Sequence, residues 1–513
     1  MSDNHLTLLA CDLGAETGRT VMGEFDGDRL TVRQVDRFSN VPVGANGVLY
    51  WDVLSLWQGI SEGLSKAAIS SHGAVASVGI DTWGIDFVLL DRLGNLLGNA
   101  VHYRDSRTAG MLSEAFARVP RQEIYAATGV QFIEINSLYH LLSMALRKDP
   151  QLEAASCLLT MPDLFNYWLT GERAVEFTNA TTTQCFDIGR NEWASAILTR
   201  LNIPTHIFPT VVPDGTPLGN LLPAVAETTG LNRTQVIAPA THDTASAVAA
   251  IPFLQGMRSA FVSSGTWSLV GMEISGPVIN DTSLDLNFTN EGGAAGTVLF
   301  LRNIVGLWLL QECRRVWASQ VGSMDYDDLV GDAMRGRQFA SLIDPNAAEF
   351  LRPGDMPRRI ADFCQLTHQA VPDDVPSVVR TVLESLALKY RVVLDQLRVC
   401  SGRSPEVIHI VGGGSKNRLL CQWTADSTQL PVAAGPVEAA AIGNLAIQAV
   451  ALREISSLHE ARQVVRASFP IELFEPNAKA KGAWDEAYAR FLSITKDPIQ
   501  SPRLPSPSGF NEN

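Results

Sequence analysis

Short apolar runs of strand length alternate along the chain with segments whose apolar residues recur every three or four positions, and this alternation predicts an α/β protein. Residues 6–10 read as a buried strand. Gly14 and Gly18 punctuate a turn and residues 20–25 return as a second strand, so the chain opens on a hairpin with a glycine-bearing tip. Asp52 is placed to cap a helix whose apolar stripe runs Val53, Leu56, Trp57, Ile60, Leu64 and Ala67. Two further strands, 77–80 and 87–90, flank the turn Asp81-Thr82-Trp83-Gly84. The opening hairpin recurs about 250 residues later, with strands at 259–263 and 267–272 around Ser264-Gly265-Thr266. A long amphipathic helix follows over 376–398, then a β-rich run at 407–411 that ends in Gly412-Gly413-Gly414 before another helix. Strand, glycine turn and helix in that order form a recurrent nucleotide-contacting unit.

Composition narrows this outline. At about 150 residues per domain, a chain of 513 residues with 46% hydrophobic and 18% charged positions predicts two to four domains with large cores. The two hairpins select two: residues 1–248 and 249–495, followed by a Pro- and Ser-rich stretch, 496–513, that reads as a disordered tail. Lys and Arg number 40 against 54 Asp and Glu, a net charge of -14, which argues against nucleic acid and anionic lipid as partners. A bound anion must then be held by local dipoles. No apolar run approaches the roughly 18 residues of a membrane span, and the start offers too short an apolar run for a signal peptide. The seven cysteines are scattered, odd in number and without a C-x-x-C pair, which predicts buried thiols in a reducing, cytoplasmic compartment. Monomer and dimer both remain open.

Five segments carry candidate chemistry. In Asp12-Leu13-Gly14-Ala15-Glu16-Thr17-Gly18-Arg19 a carboxylate ends a strand and a glycine turn follows, an arrangement that can hold a hydrated Mg²⁺ and cradle phosphates or simply close a hairpin. It is not a G-x-x-x-x-G-K-[ST] loop, and none occurs in the chain. Ser263 to Ser268 puts small hydroxyl residues and a glycine at the second tip, either as phosphate donors or as a polar turn. Gly412 to Asn417 offers bare backbone against which an adenosine can lie, or a tight packing turn. His242-Asp243 precedes a small-residue helix, so Asp243 is either a helix-start residue or a proton acceptor for a sugar hydroxyl. Tyr103-Arg104-Asp105-Ser106-Arg107-Thr108 is a polyol-pocket wall or a surface ion-pair turn. Asn303, Leu307 and Gln311 stand four apart, which predicts one helix with two amides on one broad face, either offered to ligands or simply polar residues on its rim.

Taken together with Gly79-Ile80-Asp81-Thr82-Trp83-Gly84-Ile85-Asp86-Phe87, Thr178-Asn179-Ala180-Thr181-Thr182-Thr183-Gln184, Thr289-Asn290-Glu291-Gly292-Gly293 and Gly435-Pro436-Val437-Glu438, these segments appear in an order that resembles the FGGY carbohydrate kinases from about residue 8 to 450. The resemblance implies two ribonuclease-H-like domains of the actin and hexokinase type around a cleft, with ATP and Mg²⁺ as cofactors. It implies phosphoryl transfer to a ketose: L-rhamnulose at its C1 hydroxyl, or alternatively L-fuculose or L-xylulose. Carried over by position, phosphate contacts fall on Ala15, Glu16, Thr17, Gly18 and Arg19, further ATP contacts on Thr266, Gln311 and Gly413, and sugar contacts on Gly84, His242, Asp243, Thr244 and Asn303. Asp243 takes the role of catalytic base, and Asp12 lies near the metal. Glu16 puts an acid where many relatives carry a small hydroxyl residue, so its side chain is expected to point away from the phosphates.

Overall fold

A computed structural model describes residues 6–253, 256–321 and 326–495; the Pro- and Ser-rich stretch from 496 lies outside them. The opening hairpin forms from Leu6–Leu13 and Thr17–Phe25, and Leu30–Ser39 adds a third antiparallel strand. The chain then crosses over through the helix Val53–Ser70, which starts where Asp52 accepts the amide of Ser55 at 3.1 Å. Its stripe of Val53, Leu56, Ile60, Leu64 and Ala67 is fully buried, each large side chain contributing on the order of 1.5–3 kcal/mol. The crossover permits Ser77–Thr82 to join the sheet parallel to the first strand, and Gln235–Ala238 joins parallel beyond it. Thr216–Asn220 closes a six-stranded sheet.

The second half repeats this plan. Ser259–Ser264, Trp267–Ile274 and Val298–Val305 form the antiparallel set, and the 27-residue helix Val375–Ser401 is the crossover. Val407–Val411 and Val432–Ala434 then add in parallel within a seven-stranded sheet. The repeat read from two short hairpins thus extends to the strand order of both halves, and the protein has a mixed α/β fold with two sheet-containing domains.

Between the sheets two helices cross, Asp243–Ala249 and Ala439–Ala451. The crossing has no room for a side chain: a Cβ on Gly443 would lie 1.7 Å from the carbonyl oxygen of Ser246. The second helix comes from the C-terminal half of the chain but is tied to the first sheet. Gln448 Nε2 donates to the carbonyl of Leu9 at 2.8 Å, Asn444 Nδ2 to that of Gly79 at 3.1 Å, and Ser77 Oγ to Gln448 Oε1 at 2.6 Å. Leu8, Ala10 and Val21 of one sheet and Phe261, Leu269 and Val411 of the other pack with Ala245, Val248, Ile442 and Leu445 in one buried cluster. The halves therefore share a core.

The crossing generates a prediction whose sign is informative. A Gly to Ala change inside a helix ordinarily gains up to about 1 kcal/mol, but Gly443→Ala must displace backbone and is expected to cost about 3 kcal/mol or more. Gly482→Ala, in a helix where an added Cβ meets nothing within 4 Å, is the control and should cost nothing. Urea-unfolding midpoints of the two variants check the contrast.

Candidate active site

The two hairpin tips, the triple-glycine turn and the starts of the crossing helices enclose a cavity of about 450 Å³ between the halves. Every residue singled out by position in the sequence lies on its wall except Gly18. Gly18 pairs across the sheet with Phe38 instead, and a Cβ there would sit 2.3 Å from that ring, so this glycine serves strand packing rather than phosphate contact.

The first tip is rigid. Gly14 N donates to Thr17 O at 2.9 Å, and Asn40 clamps the turn from the side through Glu16 O at 2.8 Å and Gly14 O at 2.9 Å. The second tip is tied in the same way: Leu307 N donates to Gly265 O at 2.9 Å, and Gly306 N and Trp308 N donate to Thr266 O at 3.1 and 3.2 Å. These carbonyls are turned back into the protein, which reduces carbonyl repulsion toward an anion between the tips. Glu16 is exposed on the rim, with Glu312, Arg314 and Arg37 as its charged neighbours. The start of helix Ala439–Ala451 opens on the cavity without a side-chain cap, so its first N–H groups add a positive end.

The side of the cavity at the triple-glycine turn combines open backbone with unpartnered polar atoms. An added Cβ on Gly413 would meet nothing within 4 Å, whereas one on Gly414 would lie 2.0 Å from Ser264 Oγ. The middle glycine is thus the face left bare. Ser264 Oγ and Gln311 Oε1 are buried on the cavity wall without a hydrogen-bond partner, and Lys416 is exposed on the same wall. Asn303 and Gln311 do not share a helix, as their spacing suggested. Asn303 lies near the end of the strand Val298–Val305, the chain turns at Gly306, and Gln311 belongs to Trp308–Val321. An i, i+4 spacing arises here from a strand–turn–helix junction, and the two amides still reach one cavity.

Acidic groups crowd the floor. Asp12 and Asp81 are register partners on adjacent parallel strands. Arg19 Nη2 holds Asp12 Oδ2 at 2.6 Å and its other nitrogen binds Glu438, linking the two halves. Asn444 Nδ2 donates to Asp81 Oδ2 at 2.6 Å, and Asp81 Oδ1 has no partner. Burial pushes both carboxyl groups above the usual range, and Asp12 raises Asp81 further. Asp243 is the first residue of its helix. Its side chain is 32% open to the cavity, but protein surrounds it, and burial together with the charge of Asp12 pushes its pKa up to about 7.

On the other side of Asp243 lies a second polar set. His242 stands between carboxylates, Nε2 3.5 Å from Asp243 and Nδ1 3.6 Å from Glu291, and burial lowers its pKa to about 4, which keeps it neutral. Burial also raises Glu291 to about 7. Asn303 N and Nδ2 donate to Gln131 Oε1 at 2.9 and 3.3 Å, a contact that bridges the halves, and Nδ2 lies 3.4 Å from Glu291 Oε1. Thr244 Oγ1 donates to Asp243 Oδ1 at 3.2 Å. Gly84 faces Thr182, whose Oγ1 accepts the amide of Ile85 at 2.9 Å. Trp83 and Tyr103 supply aromatic walls, and Ile85, Val130, Ile133 and Ile135 an apolar one. Asp86 fixes Trp83 by accepting its indole N–H at 2.8 Å. Of the ambiguous segment at 103–108, Tyr103 is a cavity wall while Asp105 and Arg107 form an ion pair at 3.0 Å.

Sequence reasoning missed Gln131, Glu291, Asp81 and Glu438 as site residues. Asp81 had a detectable signal, an acid at the end of an otherwise apolar strand; Gln131 lies in an irregular loop and had none. Among the described residues no cluster of three or more His, Cys, Asp or Glu forms a cation cage. The orphaned Asp81 oxygen and the raised carboxyl groups nonetheless suit a hydrated Mg²⁺ that takes most of its ligands from water and phosphate. The bare Gly413 and the unpartnered Gln311 and Ser264 atoms suit a nucleotide.

Comparison with known proteins agrees with this arrangement. Residues 7–250 match the N-terminal domain and 260–452 the C-terminal domain of the FGGY family of carbohydrate kinases. A rhamnulokinase of Bacteroides thetaiotaomicron is 42% identical over 487 residues, covering 95% of this chain and 99% of its own. One from Oceanobacillus iheyensis is 38% identical over 463 residues, covering 90% and 97%. Among solved structures, a ligand-bound xylulose kinase of Lactobacillus acidophilus superposes with a TM-score of 0.78 at 16% identity, covering 95% of this chain and 97% of that one. Plasmodium falciparum glycerol kinase with ADP gives 0.73 at 15% identity, covering 97% and 99%. With both domains matched in order and relatives this similar over nearly its whole length, the chain belongs to the FGGY family of carbohydrate kinases and is a sugar kinase.

Proposed function

We propose that the protein transfers the γ-phosphoryl group of ATP to the C1 hydroxyl of L-rhamnulose, giving ADP and L-rhamnulose 1-phosphate, with Asp243 as general base. The observation that carries this reading is the position of Asp243: at the junction of the phosphate-side and polyol-side groups, open to the cavity, with a pKa near neutrality. The choice of sugar is supported by the relatives named rhamnulokinase. It is supported also by the apolar wall of Ile85, Val130, Ile133 and Ile135, which suits the methyl terminus of a deoxyketose. The seven buried free thiols support placement in a reducing cytoplasm. We set the domain boundary at 248/249, with 249–495 as the second domain.

Phosphoryl transfer needs in-line placement and charge relief more than covalent help. Asn303, His242 and Gly84 hold the sugar so that its primary hydroxyl faces Asp243. The hydroxyl oxygen bonds to the γ-phosphorus as the bond to ADP breaks, and its proton passes to Asp243. Ala15, Glu16, Thr17 and Thr266 bring backbone and hydroxyl donors to the phosphates, Arg19 adds a cation, and Gly413 and Gln311 seat the nucleoside. Bound near Asp12 and Asp81, Mg²⁺ supplies neutralisation of phosphate charge.

Three outcomes are expected. Asp243→Asn should lower kcat by about 10³-fold or more while the Kd for ATP, measured by calorimetry, stays within about threefold; turnover like that of the unchanged protein would remove Asp243 from the role of base. Because the base must be deprotonated and its pKa is raised, kcat/KM should fall tenfold per pH unit below about 7 and level off above it. Glu291 is raised to a similar value, so Glu291→Gln must keep this limb if Asp243 is its source. Across a ketose panel read by ADP release, L-rhamnulose should exceed its 6-hydroxy counterpart L-fructose by about 10–100-fold in kcat/KM. A higher rate with L-fuculose or L-xylulose would reassign the sugar.

A further inference from the structure

Arg104 is not on the cavity wall, yet it joins the two halves just behind it, against the wall residues Tyr103 and Trp267. Its base is fixed in the first half. Asp105 accepts Leu49 N at 2.8 Å and Arg107 N and Nε at 3.0 Å, and the amide of Arg104 donates to His102 Nδ1 at 2.9 Å. From there the guanidinium crosses to the second half, its central carbon 4.3 Å from the ring centre of Trp308 and 5.3 Å from that of Trp267, with Tyr103 at 5.2 Å on its own side. Nη1 donates to the carbonyl of Leu351, and Nη2 is buried with no acceptor. A planar cation among three rings is held through its faces as well as its edge, a geometry a lysine reproduces only in part.

The rings connect this contact to both substrates. Tyr103 and Trp267 line the cavity. Trp308 begins the helix that carries Gln311, and its amide donates to the carbonyl of Thr266 at the second tip. A shift of Arg104 against its cage is therefore transmitted to the polyol side through Tyr103 and to the phosphate side through Thr266 and Gln311.

We propose that Arg104 is a positioning residue, a latch that makes seating of the second hairpin conditional on an ordered sugar pocket and so directs the phosphoryl group to sugar rather than to water. The inference rests on the cavity reading above and on Asp243 as base, not on which ketose is taken. In the coupled reaction the sugar oxygen bonds to the γ-phosphorus, the bond to ADP breaks and the proton goes to Asp243. In the uncoupled one a water oxygen takes that place, yielding ADP, inorganic phosphate and a proton.

The test compares Arg104→Ala, Arg104→Gln and Arg104→Lys with the unchanged protein, using MgATP and L-rhamnulose and measuring sugar phosphate and inorganic phosphate separately. Arg104→Ala and Arg104→Gln should lower kcat for sugar phosphate by about 10–100-fold, leave the KM for ATP within about twofold, and raise inorganic phosphate per sugar phosphate about tenfold. Arg104→Lys should recover part of both. Sugar-induced change in tryptophan fluorescence, to which Trp83, Trp267 and Trp308 contribute, should persist in Arg104→Lys and be reduced in the other two. An unchanged product ratio in Arg104→Ala overturns the latch, even in a destabilised variant. An equal fall in both products with the fluorescence response intact overturns it as well, by reducing Arg104 to a packing role. If the unchanged protein turns over another ketose instead, the sugar assignment falls alone and the same ratio is read with that ketose.

Discussion

The contact on which the site depends is the approach of Gly443 to the carbonyl of Ser246, where two helices cross with no side chain between them. Each helix starts at the cavity: one with Asp243, the other just after Glu438, which binds Arg19 of the opposite half. Any residue larger than glycine at the crossing would separate these starts and pull the acid of one half from the hairpin tip of the other. The polar ties of Asn444 and Gln448 to the first sheet fix the helix along its length. Because those ties run to backbone carbonyls, they set the helix against the strands in one register rather than merely against an apolar face.

A protein of net charge -14 gathers three of its carboxylates, Asp12, Asp81 and Asp243, on the floor of the cavity proposed to take a polyphosphate. Burial raises all three pKa values, helped by Glu438 at Asp12 and by the charge of Asp12 at Asp81 and Asp243, while Arg19 pulls Asp12 the other way, so the floor is short of positive charge. Such a floor disfavours bare phosphate and favours phosphate accompanied by a cation. The same acids leave Asp243 near neutrality rather than fully charged, which is the condition under which a carboxylate accepts a proton effectively. On the proposed assignment, one electrostatic deficit would serve both a cation and the base.

Much of this was legible in the chain because it is local. Both hairpins, the Asp52-capped helix and the strand before Gly412 rest on periodicity and turn chemistry within a dozen residues or so, and the structure reproduces them. The pairing of Asn303 with Gln311 was misread because four-residue spacing is equally compatible with a strand end, one turn and a helix start; Gly306 was the punctuation that decides it. Gly18 looked like its neighbours in a glycine turn, and only the distant Phe38 ring reveals its packing role. Gln131 reaches Asn303 from 172 residues away, and Asn444 reaches Asp81 across 363, contacts that no local pattern encodes.

The placement of groups relative to the crossing also divides their work. Asp243 and Ser246 lie on the crossing helix itself, so relative rotation of the halves about that point moves the base little. Thr17, Thr266 and Gln311 belong instead to hairpin tips and a strand–helix junction, off the crossing helices. On the proposed assignment the base sits at the pivot of any such rotation, and the groups proposed to meet the phosphates sit on the hairpin tips. Specific transfer then depends less on making the base available than on when the outer groups are brought in. That places the control of water against sugar at the far end of the lever, where Arg104 joins Tyr103 to Trp267 and Trp308, and not at the carboxylate that takes the proton.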